Sequence, residues 1–133
     1  MDLIKQKGEK VGPIKDVMHK FKYSFQGLAY CFKNETSFTF EAIAIIGVVI
    51  LGLLFKISFM EWSFAIISLL LIMEIELLNT GIEATVDMFT REFNPLAKIA
   101  KDCGSAATCI GTFVALFVNL AIFLPKIIDF FAK

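Results

Sequence analysis

Residues 76–87, with the sequence ELLNTGIEATVD, end a long apolar stretch with a row of acidic and amide side chains. Successive members of the row are three, four and four residues apart, and they are Glu76, Asn79, Glu83 and Asp87. An α-helix places residues at this spacing on one narrow face. Upstream, residues 57–73 contain one charged side chain, Glu61, which predicts a membrane-spanning helix. Carboxylates at that depth are costly unless they face protein, metal or water, so this face is the candidate functional site.

The composition of the chain is that of a membrane protein. Of its 133 residues, 57% are hydrophobic, above the roughly 50% that is usual in soluble domains. The length allows about three spans of about 20 residues each. Three helices alone barely surround a polar site, so we expect self-association.

A formal net charge of zero gives no reason to expect a nucleic acid partner. The three cysteines form no CxxC pair, so we interpret them as reduced packing residues.

Lysines dominate the segment before Glu41, and by the positive-inside rule this places the N-terminus in the cytoplasm. Against four acidic residues, the segment has the lysines Lys5, Lys7, Lys10, Lys15, Lys20, Lys22 and Lys33. No cleavable signal peptide is expected, because no apolar run follows the first lysines. Apolar residues recur at helical spacing over residues 14–33, which predicts an amphipathic helix lying in the headgroup plane. A polar break at residues 34–37 offers side chains that can cap the next helix.

The remaining chain divides into three apolar segments. The predicted spans are residues 38–55, 59–89 and 104–124, joined by an outer turn at residues 56–58 and an inner loop at residues 90–95. Asn94 and Pro95 suit the cap and first turn of the helix that leads into the third span, and Pro125 suits its end. The predicted fold is a single-domain all-α membrane protein, with an N-terminal amphipathic surface helix, three transmembrane helices and the C-terminus outside.

In this topology, polar side chains from several segments converge at the inner face. They are Glu35, Glu76, Asn79, Glu83, Asp87, Lys101 and Asp102. Two carboxylates with an amide can hold magnesium while nucleotide phosphates supply further oxygens, and Lys101 adds a point charge for phosphate. The deeper carboxylate, Glu76, could accept a proton from a lipid hydroxyl. The sequence has no Walker GxxxxGK[ST] loop, so a nucleotide would be held differently.

The spacing leaves the roles of two acidic residues open. Asp87 is either a neighbour of the metal or a loop anchor through Arg91 at i+4, and we favour the loop anchor. Glu41 is either a capping or interhelical hydrogen-bond partner or a contact for the lipid hydroxyl. Glu74 precedes Glu76 by two residues and therefore lies on the opposite helix face, away from the chemistry.

Several segments resemble one family. Residues 76–87 resemble the ExxNTAIExxVD signature of the small prokaryotic integral-membrane lipid kinases, the diacylglycerol kinase and undecaprenol kinase family. Residues 97–107, AKIAKDCGSAA, resemble its second signature, an AKD followed by small residues. Segments similar to its amphipathic-helix and first-metal segments are residues 23–28 and 34–38. The sequence departs from the family at Asn94, where a histidine is frequent, and at Gly81, where the signature has alanine.

The resemblance implies a homotrimer in the bacterial cytoplasmic (inner) membrane, with active sites shared between neighbouring subunits on the cytoplasmic side. It implies that Glu76 is the proton acceptor and that Glu35 and Glu83 bind magnesium. The implied ATP contacts are Tyr23, Glu35, Glu83, Glu92, Phe93, Asn94, Lys101 and Asp102. The candidate lipid contacts are Ser24, Glu41, Glu76 and Ser105, with Asn79 and Asp87 in supporting positions.

We therefore predict an ATP-dependent kinase that phosphorylates the hydroxyl of diacylglycerol to give phosphatidic acid. The small residues at positions 104–107 resemble the diacylglycerol enzymes more than the undecaprenol enzymes, and undecaprenol is the alternative acceptor. An alternative from another class is a small cation channel or transporter subunit. A cation pore is not expected to place Lys101 and a lysine-rich face beside its carboxylates.

Overall fold

The protein consists of four α-helices in the computed structural model, which describes residues 12–132. They are α1 (Pro13–Asn34), α2 (Thr36–Phe55), α3 (Phe59–Phe89) and α4 (Pro95–Phe131). The helices α2, α3 and α4 are each long and apolar enough to cross a membrane. This confirms the prediction of an all-helical protein with three apolar helices of spanning length. The lysines Lys5, Lys7 and Lys10, on which part of the topology prediction rests, lie outside the described residues.

The joint between α1 and α2 is a single residue. Glu35 has an extended backbone, with φ −107° and ψ 111°, and its N–H donates to Cys31 O at 2.8 Å. Phe32 and Phe38 pack edge to face across the joint, with ring centroids 4.8 Å apart. The prediction that polar side chains of residues 34–37 cap α2 is wrong, because α2 begins without a side-chain cap. Packing of the two rings fixes the joint instead.

The turn between α2 and α3 is short and tightly bonded. Lys56 closes α2 in the left-handed region with φ 50°. Ser58 then caps α3 through a capping box, in which Glu61 N donates to Ser58 Oγ at 3.3 Å and Ser58 N donates to Glu61 Oε2 at 2.7 Å. Reciprocal bonding of this kind satisfies two backbone donors that a helix start otherwise leaves free. The turn therefore brings α3 straight back beside α2.

A glycine lets these two helices approach closely at the turn. Gly52 is buried, and a Cβ built on it would lie 2.5 Å from two ring atoms of Trp62. We expect Gly52→Ala to destabilise the protein by about 1–3 kcal/mol, because the indole must move out of a packed position. Denaturant titration in detergent micelles measures this, and the fluorescence of Trp62, the single tryptophan, reports the site directly.

The matched control for that prediction is Gly47→Ala on the same helix. A Cβ at Gly47 meets nothing within 4 Å, so this variant changes helix propensity without changing packing inside the chain. Equal unfolding midpoints for Gly52→Ala and Gly47→Ala would contradict the account of the turn.

Helices α3 and α4 form the main packed pair. Their buried apolar residues Leu69, Ile72, Ala115 and Phe123 belong to one hydrophobic cluster. Within this apolar layer, Asn119 of α4 donates through Nδ2 to Ser68 Oγ of α3 at 3.1 Å. An interhelical hydrogen bond at this depth adds specificity to van der Waals packing in a membrane protein. The pair thus has a fixed register, which sets how the end of α3 and the start of α4 face each other.

The prediction that the last helix ends at Pro125 is wrong, because α4 continues through this residue to Phe131. Proline lacks an N–H and so removes one backbone hydrogen bond from a helix. The continuing turns are held by contacts to the α2–α3 turn. Lys126 Nζ lies 2.9 Å from Glu61 Oε1, Ile127 packs against the hydrophobic cluster, and the ring of Phe130 lies 6.2 Å from that of Phe55. Tertiary contacts therefore override the local helix-breaking effect.

Candidate functional site

A buried carboxylate lies at the centre of the site. Glu76 is 7% exposed and projects from α3 towards the α1–α2 joint. The hydroxyl of Ser37 is a hydrogen-bonding neighbour of its carboxylate. The carboxylates of Glu35, Glu41 and Glu83 are all near enough to repel it electrostatically. The fold thus brings together four acids from two stretches that are distant in sequence, residues 35–41 and 76–83.

Asn79 and Glu83 continue the acidic face of α3 one and two turns further on. Asn79 Nδ2 donates to Glu83 Oε1 at 3.1 Å. Glu83 is half-buried, whereas Glu76 is buried, so the two carboxylates differ in depth along the helix. This agrees with the order that their spacing indicated. Glu74 is exposed, as expected for the opposite face.

A cavity of about 270 Å³ lies between the end of α3 and the start of α4. The predicted ATP contacts that line it are Glu92, Phe93, Asn94, Lys101 and Asp102. Asp87 also lines it, and its Oδ1 lies 2.5 Å from Lys101 Nζ. Glu83 precedes Asp87 by one helical turn, so the cavity is a continuation of the carboxylate face. The structure therefore joins the loop between α3 and α4 and the acidic face into one polar region.

The favoured interpretation of Asp87 as an anchor for Arg91 is wrong. Asp87 pairs with Lys101 across the loop instead. Helix α3 ends at Phe89, so Arg91 lies beyond the helix, where i+4 spacing no longer brings side chains together. Asp87 therefore orients the predicted phosphate-binding lysine.

Asn94 serves as the N-cap of α4. Its Oδ1 accepts from Leu96 N at 2.9 Å and from Ala97 N at 3.4 Å. This confirms the predicted cap and commits the side-chain oxygen to the helix start. Thr90 organises the same loop, because its hydroxyl accepts from Glu92 N at 3.2 Å. The two contacts fix the loop on either side of Phe93.

The structure does not place every predicted contact beside this region. Ser24 is exposed on α1, and its hydroxyl donates to Lys20 O at 2.9 Å. Tyr23 is half-buried on the same helix, with its ring centroid 6.2 Å from that of His19. Ser105 is exposed on α4. None of these three residues lines the cavity at the loop between α3 and α4.

The family model described as prokaryotic diacylglycerol kinase matches residues 22–123 of the chain. The chain belongs to this family. The match runs from α1 to the last turns before Pro125 and includes both the carboxylate cluster and the loop cavity. The family is one of lipid kinases, so the chain is a membrane-embedded kinase, with ATP as the co-substrate that the family implies.

Curated relatives are similar over most of the chain. The undecaprenol kinase of Bacillus subtilis is 37% identical over 107 residues, which are 80% of this chain and 87% of that protein. The diacylglycerol kinase of Escherichia coli K12 is 36% identical over 94 residues, or 71% of this chain and 77% of that protein. The diacylglycerol kinase of Helicobacter pylori is 38% identical over 89 residues, or 67% and 70%. The curated relatives thus include kinases named for two different lipids, undecaprenol and diacylglycerol.

The donor set of the site fits a hard divalent cation. Glu35 and Glu83 supply carboxylate oxygens near Glu76, and oxygen ligands are those that magnesium prefers. Within residues 12–132, no three acidic, histidine or cysteine side chains form a ready-made metal cluster. Magnesium commonly uses one or two protein carboxylates and completes its shell with substrate phosphates and water. The residues present therefore suit a magnesium ion that is held jointly with a nucleotide.

Sequence reasoning assigned neither Lys98 nor Ser37 to this region, and it considered Arg91 only as a partner of Asp87. Lys98 and Arg91 line the loop cavity, and Lys98 forms an ion pair with Asp102. The i+4 spacing of Lys98 and Asp102 was a usable signal for that pair. The contact of Ser37 with Glu76 had no such signal, because it joins two different helices. Together with Lys101, the side chains of Lys98 and Arg91 give the loop cavity three cationic groups.

Proposed function

We propose that this chain is an ATP-dependent lipid kinase that transfers the γ-phosphoryl group of ATP to the hydroxyl of a membrane lipid. The observation that carries the proposal is the buried carboxylate of Glu76, clustered with other acids and continuous along α3 with a cavity lined by Lys101. A buried acid and a polar cavity further along the same helix suit a reaction between a lipid and a nucleotide. Phosphoryl transfer needs chiefly positioning and charge neutralisation from the protein, so a sparse set of side chains suffices.

Each step of this transfer has a candidate residue. The lipid hydroxyl loses its proton to Glu76 as its oxygen forms a bond to the γ-phosphorus, and the bond from that phosphorus to the bridging oxygen breaks to release ADP. Magnesium, when bound, neutralises charge on the phosphate oxygens. Glu35 and Glu83 would hold it, and Asn79 orients Glu83 through its amide. The depth difference between Glu76 and Glu83 suits a lipid alcohol below and a nucleotide above.

Nucleotide binding is assigned to the loop cavity. Lys101 supplies an ammonium for phosphate and is oriented by Asp87. The other proposed contacts in the loop are Glu92, Phe93, Asn94 and Asp102, with Tyr23 contributing from α1. Because the oxygen of Asn94 caps α4, we assign a nucleotide contact at Asn94 to its amide nitrogen or its backbone.

Glu41 is proposed to contact the lipid. It lines a largely apolar cavity of about 300 Å³ between α2, α3 and α4, together with Phe40, Leu69, Thr112 and Asn119. Its Oε2 is buried and has no hydrogen-bond partner among residues 12–132. A buried acceptor without a partner is costly, and a lipid hydroxyl would satisfy it. Ser24 and Ser105 are proposed as further lipid contacts from their exposed positions on α1 and α4.

Diacylglycerol is the acceptor that the sequence favours, through the small residues at positions 104–107. The second candidate is undecaprenol, which is supported by the similarity to the Bacillus subtilis undecaprenol kinase over 107 residues. Both are membrane alcohols, and the arrangement around Glu76 suits either.

The proposed setting is the bacterial cytoplasmic membrane, with α1 lying at the inner surface and the active site on the cytoplasmic side. Large apolar side chains of the spanning helices are exposed in the single chain, including Ile46, Leu53, Leu71 and Phe117. Lipid or further copies of the chain would cover them. We propose a homotrimer in which neighbouring subunits complete each site.

We expect purified protein in lipid, given labelled ATP and magnesium, to phosphorylate diacylglycerol, with undecaprenol as the slower acceptor. Both lipids are offered separately, and reactions without magnesium or with an ether analogue that lacks the hydroxyl are the controls. Faster labelling of undecaprenol would transfer the acceptor assignment to that lipid. Labelling of neither lipid would reject the kinase proposal, and a cation flux that persists without ATP would support the channel alternative.

A further inference from the structure

Gly104 of α4 lies so close to Asn79 of α3 that there is no room for a side chain at position 104. Gly104 is buried where the two helices approach each other. A Cβ built on it would overlap Asn79 Oδ1 and lie 3.2 Å from Asn79 Cγ and 3.9 Å from Asn79 Cα. The amide of Asn79 therefore fills the space that a side chain at position 104 would need.

The conformation of Asn79 is tied to the carboxylate of Glu83. Its Nδ2 donates to Glu83 Oε1 at 3.1 Å, and this sets which way the amide plane faces. Its Oδ1 is buried with no hydrogen-bond partner within the described residues 12–132 and is directed at Gly104. A glycine Cα–H can face a carbonyl oxygen in a weak C–H···O contact, which a methyl group would displace. Asn79 would have to rotate to avoid a methyl group at position 104, and it would then lose Glu83.

We propose that Gly104 is a positioning residue for nucleotide-bound magnesium, acting through Asn79 on Glu83. The inference rests on the proposed function, in which Glu83 binds the metal. Because Gly104 has no side chain, it leaves room for the Asn79 amide, which orients the Glu83 carboxylate. Gly104 touches neither the nucleotide nor the lipid in this account.

Gly111 separates this role from ordinary helix packing. It lies two turns further along α4, on nearly the same face. A Cβ on Gly111 would meet the chain ends of Ile72 and Ile75 on α3, at 2.8 Å and 3.0 Å from their Cδ1 atoms. Flexible apolar ends can shift by changing rotamer, and no polar side chain is involved. Gly111→Ala therefore adds a methyl group between the same two helices, with a smaller overlap and without disturbing Asn79.

We expect Gly104→Ala to weaken magnesium-dependent nucleotide binding and to raise the magnesium concentration at half-saturation by about 10- to 100-fold, as for the loss of a hydrogen bond to a charged group. Titration of a fluorescent ATP analogue without lipid acceptor measures this independently of turnover. Gly111→Ala is expected to stay within about threefold of wild type. Equal effects of the two variants would overturn the proposal, because they would indicate packing alone.

A double-mutant cycle with Asn79→Ala tests the route through the amide. Truncation of Asn79 removes the group that a methyl at position 104 would strike, so Gly104→Ala is expected to add no further loss in that background. The cycle also decides the case in which Gly104→Ala alone fails to fold, since the double variant has room for the methyl group. Additive losses would overturn the proposal. If wild-type protein makes no phosphorylated lipid, the proposed function fails, whereas wild-type turnover with additive losses refutes the role of Gly104 alone.

Discussion

Replacing Glu76 with Gln is expected to lower the rate of lipid phosphorylation by about 10²- to 10⁴-fold. Gln has the shape of Glu and can keep the hydrogen bond with Ser37, but it cannot accept a proton from a lipid hydroxyl. The loss should therefore fall on kcat. Magnesium-nucleotide binding should stay within a few-fold of wild type, because Glu83 and Lys101 are unchanged. Turnover and titration of a fluorescent ATP analogue measure the two quantities on the same preparation.

The matched control for this variant is Glu74→Gln. Glu74 is two residues away on the same helix, undergoes the same chemical change and is exposed on the opposite face. We expect its turnover to remain close to wild type. Normal turnover in Glu76→Gln, or an equal loss in Glu74→Gln, would contradict the assignment of the proton acceptor.

The acidic face of α3 could be predicted from the sequence because it depends on one helix. Helical periodicity alone places Glu76, Asn79 and Glu83 together, and the apolar composition around them indicates a membrane. The hydrogen bond from Asn79 to Glu83 follows from i+4 spacing. Local spacing therefore carries most of the information about this part of the site.

Contacts between helices could not be predicted from residue spacing within one helix. The pairing of Asp87 with Lys101 depends on where α3 ends and on how α4 is set against it. The packing of Asn79 against Gly104 depends on the register of the same two helices. Local spacing cannot specify either of them, since each joins residues of different elements. The error at Asp87 has this cause, because an i+4 rule was applied across a helix end.

The error at Pro125 has a different cause. Pro125 indicates only the free energy that a lost backbone hydrogen bond costs the helix locally. The continuation of α4 to Phe131 depends instead on tertiary contacts of its last two turns. The ion pair between Lys126 and Glu61 joins residues 65 positions apart in the chain. Local propensity is a weak prior when such contacts are present. The register of α4 is thus fixed at both ends, by Lys126 at one and by Lys101 at the other.

Replacing Glu83 with Gln is expected to weaken magnesium-nucleotide binding by about 10- to 100-fold, since a charged ligand for a hard cation becomes a neutral one. The change keeps the side-chain shape, and the Oε1 of Gln can still accept from Asn79. The effect should therefore report charge rather than lost packing. At saturating magnesium and nucleotide, turnover should recover towards the wild-type rate, because Glu76 remains in place.

The control for Glu83→Gln is Glu61→Gln, which removes a carboxylate at the far end of α3. Glu61 binds Ser58 and Lys126 at the α2–α3 turn, so its loss should lower stability without changing nucleotide affinity. The two assignments are linked by depth, because we propose that the buried Glu76 serves the lipid and the half-buried Glu83 serves the nucleotide. Titrations in which Glu76→Gln loses nucleotide affinity, while Glu83→Gln loses turnover alone, would reverse the roles and reject the proposed arrangement.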